Sequence, residues 1–203
     1  MEGAWFPLAL GLAAFTVMRT WRRGRDLVRA QINRESLRIE HFVHSVTLDP
    51  PVRVSGTAIF MTPSNEFMPP ALLHNLKHNK VLHERNVLLI VETLNVPRAD
   101  EGERVAYTDL GHGFQRLSLR YGYMEDPDVP KSLKQWNIPG LEFDPMDTTY
   151  FASREALIAK ADQGMVLWRD KLFLFMSRNA TPATEFFGIP GERLVELGTK
   201  VVI

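Results

Sequence analysis

The chain has no cysteine, which excludes disulfides, thiolate nucleophiles and Cys-ligated zinc or iron–sulfur clusters. It also has no net charge, since 24 Lys and Arg balance 24 Asp and Glu. No global field therefore draws in nucleic acid or an acidic substrate, and no nucleic-acid partner is expected. Neither G-x-x-x-x-G-K-[ST] nor G-x-S-x-G occurs, so the phosphate cradle of P-loop enzymes and the nucleophile elbow of hydrolases are both missing. There is no internal repeat and no low-complexity tract. What is present is ordinary: 45% hydrophobic and 24% charged residues over 203 positions support one packed domain with a small additional element, and argue against disorder.

Long apolar runs are scarce too. The one strongly apolar segment is Ala4 to Met18, AWFPLALGLAAFTVM, which falls short of the roughly 20 residues that cross a bilayer core as a helix. Its flanks matter more than its length. From Arg19 to Arg38 the chain carries seven arginines against Asp26 and Glu35. A signal peptide places its positive charge before the apolar stretch, whereas here Glu2 precedes it and RTWRRGR comes after it, the wrong order for secretion. The pattern predicts a marginal membrane helix over residues 1–20, with everything after about Arg19 on the cytoplasmic side by the positive-inside rule. Trp5, Trp21, Arg22, Arg23 and Arg25 are the expected membrane-interface residues, the arginines facing anionic lipid headgroups. The alternative is a buried amphipathic helix of a water-soluble protein. Residues 21–50 then form a basic juxtamembrane connector, ended by Asp49-Pro50-Pro51 because a proline pair cannot continue a helix.

Residues 51–203 read as an α/β domain. Asp26 to Val46 has apolar residues at irregular helical spacing and predicts a helix within the connector. Beyond the prolines, strands are expected over Arg53–Met61, Asn86–Val91, Phe114–Met124 and Val195–Ile203, with weaker signals at Arg104–Thr108 and Thr148–Ala152, a mixed sheet of four to six strands. NVLLIV at Asn86–Val91 lacks polar alternation, which suits a central strand covered on both faces. Phe114–Met124 alternates strictly, so one face is exposed. Helices are expected after Pro69-Pro70, after Asp128, over Gln163–Asn179 and after Thr181, the prolines fitting first-turn positions. The apolar residues of Gln163–Asn179 cover most of the helix circumference and predict deep burial.

Chemistry-bearing residues are few. His74 and His78 are four apart and His83 is close, a spacing that superficially suggests the zinc-protease H-E-x-x-H, but Asn75 stands where the general base belongs, and an amide takes no proton from metal-bound water. Two histidines also supply only half of a tetrahedral zinc shell. Gly111-His112-Gly113 lacks a third glycine and leads into a strand, so it reads as a tight turn of left-handed residues and not as a phosphate loop. Ser153, Arg154 and Glu155 read as a helix start. No catalytic residue, cofactor-binding residue, metal ligand or cofactor is expected. A nucleotide-binding regulatory domain without transport activity is the alternative function.

Six blocks in order carry a resemblance: WFPL with TWRRGR, GTAIFMTP, PPALLHNLKHNKVLHERNVLL, GFQRLSLRYGYMEDPDVP and LWRDKLFLFMSRNATPATEFFGIPGERLVELG. Together they resemble the C-terminal part of the Kup-type potassium uptake permeases, over nearly the whole chain. The resemblance implies that the WFPL segment is the last transmembrane helix and that the remainder of the chain is the cytoplasmic C-terminal domain, regulatory or assembling in role. It implies potassium ion and proton as species transported by the whole permease across the cell membrane, which is the inner membrane in a Gram-negative cell. The partner it implies is an N-terminal transmembrane bundle that holds the ion-binding oxygens; a homodimer is a further partner to consider. No ion-binding residue carries over to this chain, because a desolvated ion needs several oxygen ligands and the apolar segment offers almost none.

Overall fold

The computed structural model describes residues 5–136, 138, 143–158 and 165–202. The chain divides into two units, Ser36–Arg154 with Thr181–Gly198, and Met1–Glu35 with Glu155–Ala180 and Thr199–Ile203.

The larger unit is built on a sheet. Strands β1 (Val52–Met61), β2 (Val81–Leu94), β3 (Val105–Gly111), β4 (Phe114–Gly122), β5 (Thr148–Ile158) and β6 (Leu194–Val202) stand in the order β3-β4-β2-β1-β5-β6. β4, β2, β1 and β5 run parallel, and β3 is antiparallel on the edge beside β4. The fold is therefore mixed α/β with six strands, at the upper end of the expected number.

Side-chain alternation sorts the strands onto two cores. Ala58, Phe60, Leu82, Leu88 and Phe114 face one layer, where they meet helices α2 (Ile39–Leu48) and α3 (Pro70–Asn79) through Phe42, Val46, Ala71 and Leu72. Ile59, Val87, Leu89, Leu117, Leu119 and Tyr121 face the other, covered by α4 (Val129–Gln135) through Val129 and Leu133. β2 lies between β4 and β1 with Val87 to Ile90 buried, as its unbroken apolar run requires. Aspartate starts α4 as expected: the Asp128 carboxylate accepts from the Lys131 N–H at 2.9 Å, satisfying a first-turn donor, with Pro130 just inside the helix.

Several expectations need correction. The expected helix over Asp26–Val46 is two helices. α1 runs unbroken from Trp5 to Glu35, and α2 begins at Ile39. The cause of the break is backbone capture: the Leu37 carbonyl accepts from Met68 N–H at 2.9 Å, Ile39 N–H donates to the Glu66 carbonyl at 3.0 Å, and Arg38 bridges Phe67 in extended conformation. Periodicity carries no trace of such pairing. Ser153, Arg154 and Glu155 lie within β5 and start no helix.

In the smaller unit, α5 (Leu167–Arg178) packs on α1 around Val28, Phe173 and Val201. Its expected first residue, Gln163, lies outside the described residues, as do Met1 to Ala4 and Ile203. Deep burial of this helix is also corrected: only Asp170 and Phe173 are buried, while Trp168 is 54% and Phe175 67% exposed. Among the described residues no helix is long and apolar enough to cross a membrane; the charges from Arg19 onward enter any window wide enough to span.

Candidate membrane-interface site

All five expected interface residues lie on α1. From Trp5 to Met18 this helix exposes Trp5, Phe6, Leu8, Leu10, Leu12, Phe15, Val17 and Met18, apolar side chains at positions that take in every face of the helix. Arg19 closes the segment with its guanidinium 5.9 Å from the Phe15 ring centroid.

Thr20 begins a different environment. It is buried, and its hydroxyl accepts a hydrogen bond from Arg169 Nε at 3.0 Å. One residue on, the Trp21 ring tilts against Phe173 with centroids 5.6 Å apart. Gly24 explains the closeness of the two helices, because the Phe173 ring fills the space where a β-carbon would stand. A mid-helix glycine costs about 1 kcal/mol relative to alanine, and here it admits an aromatic ring. Arg25 pairs with Glu155 at 3.3 Å, a half-exposed contact worth less than about 1 kcal/mol. Of the expected set, Trp5, Arg22 and Arg23 are thus exposed, whereas Trp21 and Arg25 engage protein neighbours.

Asp170 escaped the sequence reading. Its carboxylate is 0% exposed, and neither oxygen has a hydrogen-bond partner. Burial raises its pKa, with the charge of adjacent Arg169 opposing. The available signal was a lone acid inside the apolar stretch LWRDKLFLF.

The other chemistry candidates resolve into structural roles. His74 and His78 stack face to face on α3 at 6.0 Å, while His83 on β2 meets the edge of Phe151. His83 Nδ1 is buried without a partner, and burial lowers its pKa, with Asp147 opposing. No group of three or more potential metal ligands occurs among the described residues. Asn75 secures the exit of α3, donating to the Val81 carbonyl at 3.2 Å and accepting from Asn79 at 2.8 Å. Gly111, His112 and Gly113 have φ of 78°, 53° and 76°, the left-handed hairpin turn their sequence implies. Arg53 locks that turn by donating to the His83 and His112 carbonyls at 2.8 and 2.9 Å. Ser153 accepts from the first-turn Ala71 N–H at 3.0 Å, and Arg154 pairs with Glu196.

A family model for the K+ potassium transporter C-terminal domain matches residues 55–203. The chain belongs to this family. It is 57% identical over its whole length to the probable potassium transport system protein Kup of Xanthomonas euvesicatoria pv. vesicatoria, of which it covers 32%. The protein of the same name from Xylella fastidiosa strain Temecula1 is 53% identical with the same coverage. Kup 2 of Dechloromonas aromatica, also a probable potassium transport system protein, is 50% identical, again over all of this chain and 32% of the relative. The chain thus spans about a third of the length of the curated relatives it matches, corresponding to their C-terminal part. No solved structure matches it.

Proposed function

We propose that this chain is the C-terminal part of a potassium transporter, acting as its cytoplasmic regulatory and assembly domain and tethered by its first helix to the transmembrane bundle that conducts the ion. The whole transporter would take up potassium with protons across the cell membrane. The observation that carries the reading is the family membership joined to the surface of Trp5–Met18. Eight large apolar side chains stand exposed there. At about 1.5–3 kcal/mol for burying each, their transfer out of water is worth on the order of 10–20 kcal/mol, comparable with the entire stability of a domain. A lipid bilayer or a bundle of neighbouring helices supplies that apolar surround. Arg22 and Arg23, exposed just past the apolar stretch, support placing the remainder in the cytoplasm. Lipid association of these arginines and the division at residues 20 and 50 belong to the same reading.

The nucleotide-binding alternative draws no support from the Gly111 turn. It leads into β4 and not into a helix N-terminus, and Arg53 spends its donors on two carbonyls.

The test is growth on limiting potassium of cells without potassium uptake systems. This chain alone should fail, because it lacks membrane-embedded oxygen ligands. Together with a matching bundle that stops before the equivalent of Trp5, it should restore growth, since separately inserted helices associate in the bilayer. Growth supported by this chain alone would overturn the proposal.

A further inference from the structure

α5 carries a stripe that its packing on α1 leaves uncovered. Trp168, Lys171, Phe175 and Arg178 recur at spacings of three, four and three residues, which puts them on one face, and all four are exposed. Leu167 widens the apolar start of the stripe and is also exposed. Aromatic and cationic side chains alternate along it. Neither Lys171 nor Arg178 forms an ion pair among the described residues, and the one acid of the helix, Asp170, is buried away from this face.

The height of this helix is set by its contacts. α5 meets α1 at Thr20, Trp21 and Gly24, the first turn beyond the apolar segment. From Trp5 to Thr20 a helix rises about 24 Å at 1.5 Å per residue, less than the ~30 Å of a hydrocarbon core. A segment that short draws its flanks into the interface, so Arg169, bonded to Thr20, and Trp168 beside it stand at headgroup depth. We infer that α5 is a second membrane-interface element, distant in sequence from the arginines of α1. Trp168 and Leu167 enter the boundary between headgroups and acyl chains, and Lys171, Phe175 and Arg178, farther along α5, lie among the headgroups, where the two cations reach anionic lipid phosphates. The occupant is an anionic lipid surface because the exposed charges of the stripe are all positive and interleaved with aromatic rings, the composition that suits an interfacial helix. This inference rests on reading Trp5–Thr20 as a membrane segment.

The absence of cysteine makes site-directed spin labelling clean. The full chain would be reconstituted into vesicles of phosphatidylcholine, with or without phosphatidylglycerol, carrying one nitroxide at Leu12→Cys, Leu167→Cys, Phe175→Cys or, as a water-facing reference, Glu192→Cys. Accessibility to oxygen and to a water-soluble relaxant would be read at each site. Labels at positions 167 and 175 should be more shielded from the water-soluble relaxant in anionic vesicles than in neutral ones. Replacing Lys171 and Arg178 by Gln should shift this local docking about fivefold toward water for each cation lost. A label at position 12 that faces lipid while 167 and 175 stay as open as 192 in anionic vesicles would overturn the inference and leave the membrane segment standing. A water-facing label at 12 with shielded 167 and 175 would support the stripe and defeat the membrane segment. Water exposure at all of them defeats both. Equal shielding in neutral and anionic vesicles, growing with protein concentration, would show a second copy on the stripe and overturn the lipid assignment.

Discussion

The ring of Phe173 stands where the β-carbon of residue 24 would be, so α1 and α5 meet only because position 24 is glycine. Gly24→Ala improves helix propensity by about 1 kcal/mol yet forces the ring aside, at a cost of about 1–3 kcal/mol. The net effect should be a lower unfolding midpoint for the α1–α5 unit. Phe173→Ala should cost about 3–5 kcal/mol, since the ring is fully buried with Val28 and Val201. Denaturant titration of both variants in detergent micelles checks this, and an unchanged or raised midpoint for Gly24→Ala would refute the packing argument.

Asp170 should make the fold less stable as pH rises. Its carboxyl is buried without partners and its pKa is raised, so the native state holds the proton more tightly than the unfolded chain does. The linked penalty is absent below the unfolded value near 3.8 and complete above the raised native one. Asp170→Asn should therefore raise the melting temperature at pH 7 and change it little at pH 3.5. A destabilisation at neutral pH would mean that the carboxylate has a cationic partner.

Glu125 behaves in the opposite sense. The Arg104 guanidinium at its carboxylate, with further bonds from Gly122 N–H at 2.6 Å and Ala99 N–H at 3.1 Å, lowers its pKa to about 2 against the cost of burial. Its contribution is present above the unfolded value of 4.5 and is lost as pH falls toward about 2. Glu125→Gln should cost about 1.5–3 kcal/mol at pH 7, the worth of a charged hydrogen bond, and should flatten the acid limb of a plot of melting temperature against pH.

The two glycines of the β3–β4 turn should separate in cost. Both have positive φ, but a β-carbon on Gly111 meets open space, whereas one on Gly113 collides with the Glu84 carbonyl. Gly111→Ala should lose about 1–2 kcal/mol, the left-handed penalty alone. Gly113→Ala should lose more. Thermal melts of the pair decide the matter, and equal losses would show that the Glu84 carbonyl yields freely.

Legibility in the sequence depended on what each signal measures. Val87 to Ile90 announced a central strand because an apolar run without polar alternation, too short for a stable helix, suits a strand covered on both faces. Gly111 and Gly113 announced their turn because only glycine enters that conformation cheaply. The break at Ser36–Arg38 was invisible, since it depends on carbonyl and N–H groups of residues 66–68, and every residue type carries those. α5 misled for another reason. Phe173 and Phe175 are the same residue, yet one is buried against Gly24 and the other is exposed; composition reports that both need an apolar neighbour but not which neighbour is protein. In the candidate site, the junction of apolar and basic stretches singles out Trp5, Arg22 and Arg23 as membrane-interface candidates, and all three are exposed. Thr20, Gly24 and Asp170 were not, because each acquires its role only when α5 arrives from nearly 150 positions away.

Rubidium uptake tests the transporter reading most directly. Initial rates would be measured in cells without potassium uptake systems that express this chain, a matching transmembrane bundle ending before the equivalent of Trp5, or both. The account predicts background rates for either piece alone and saturable uptake for the pair. Saturable uptake by this chain alone, or by the bundle at the same rate with and without it, would contradict the account.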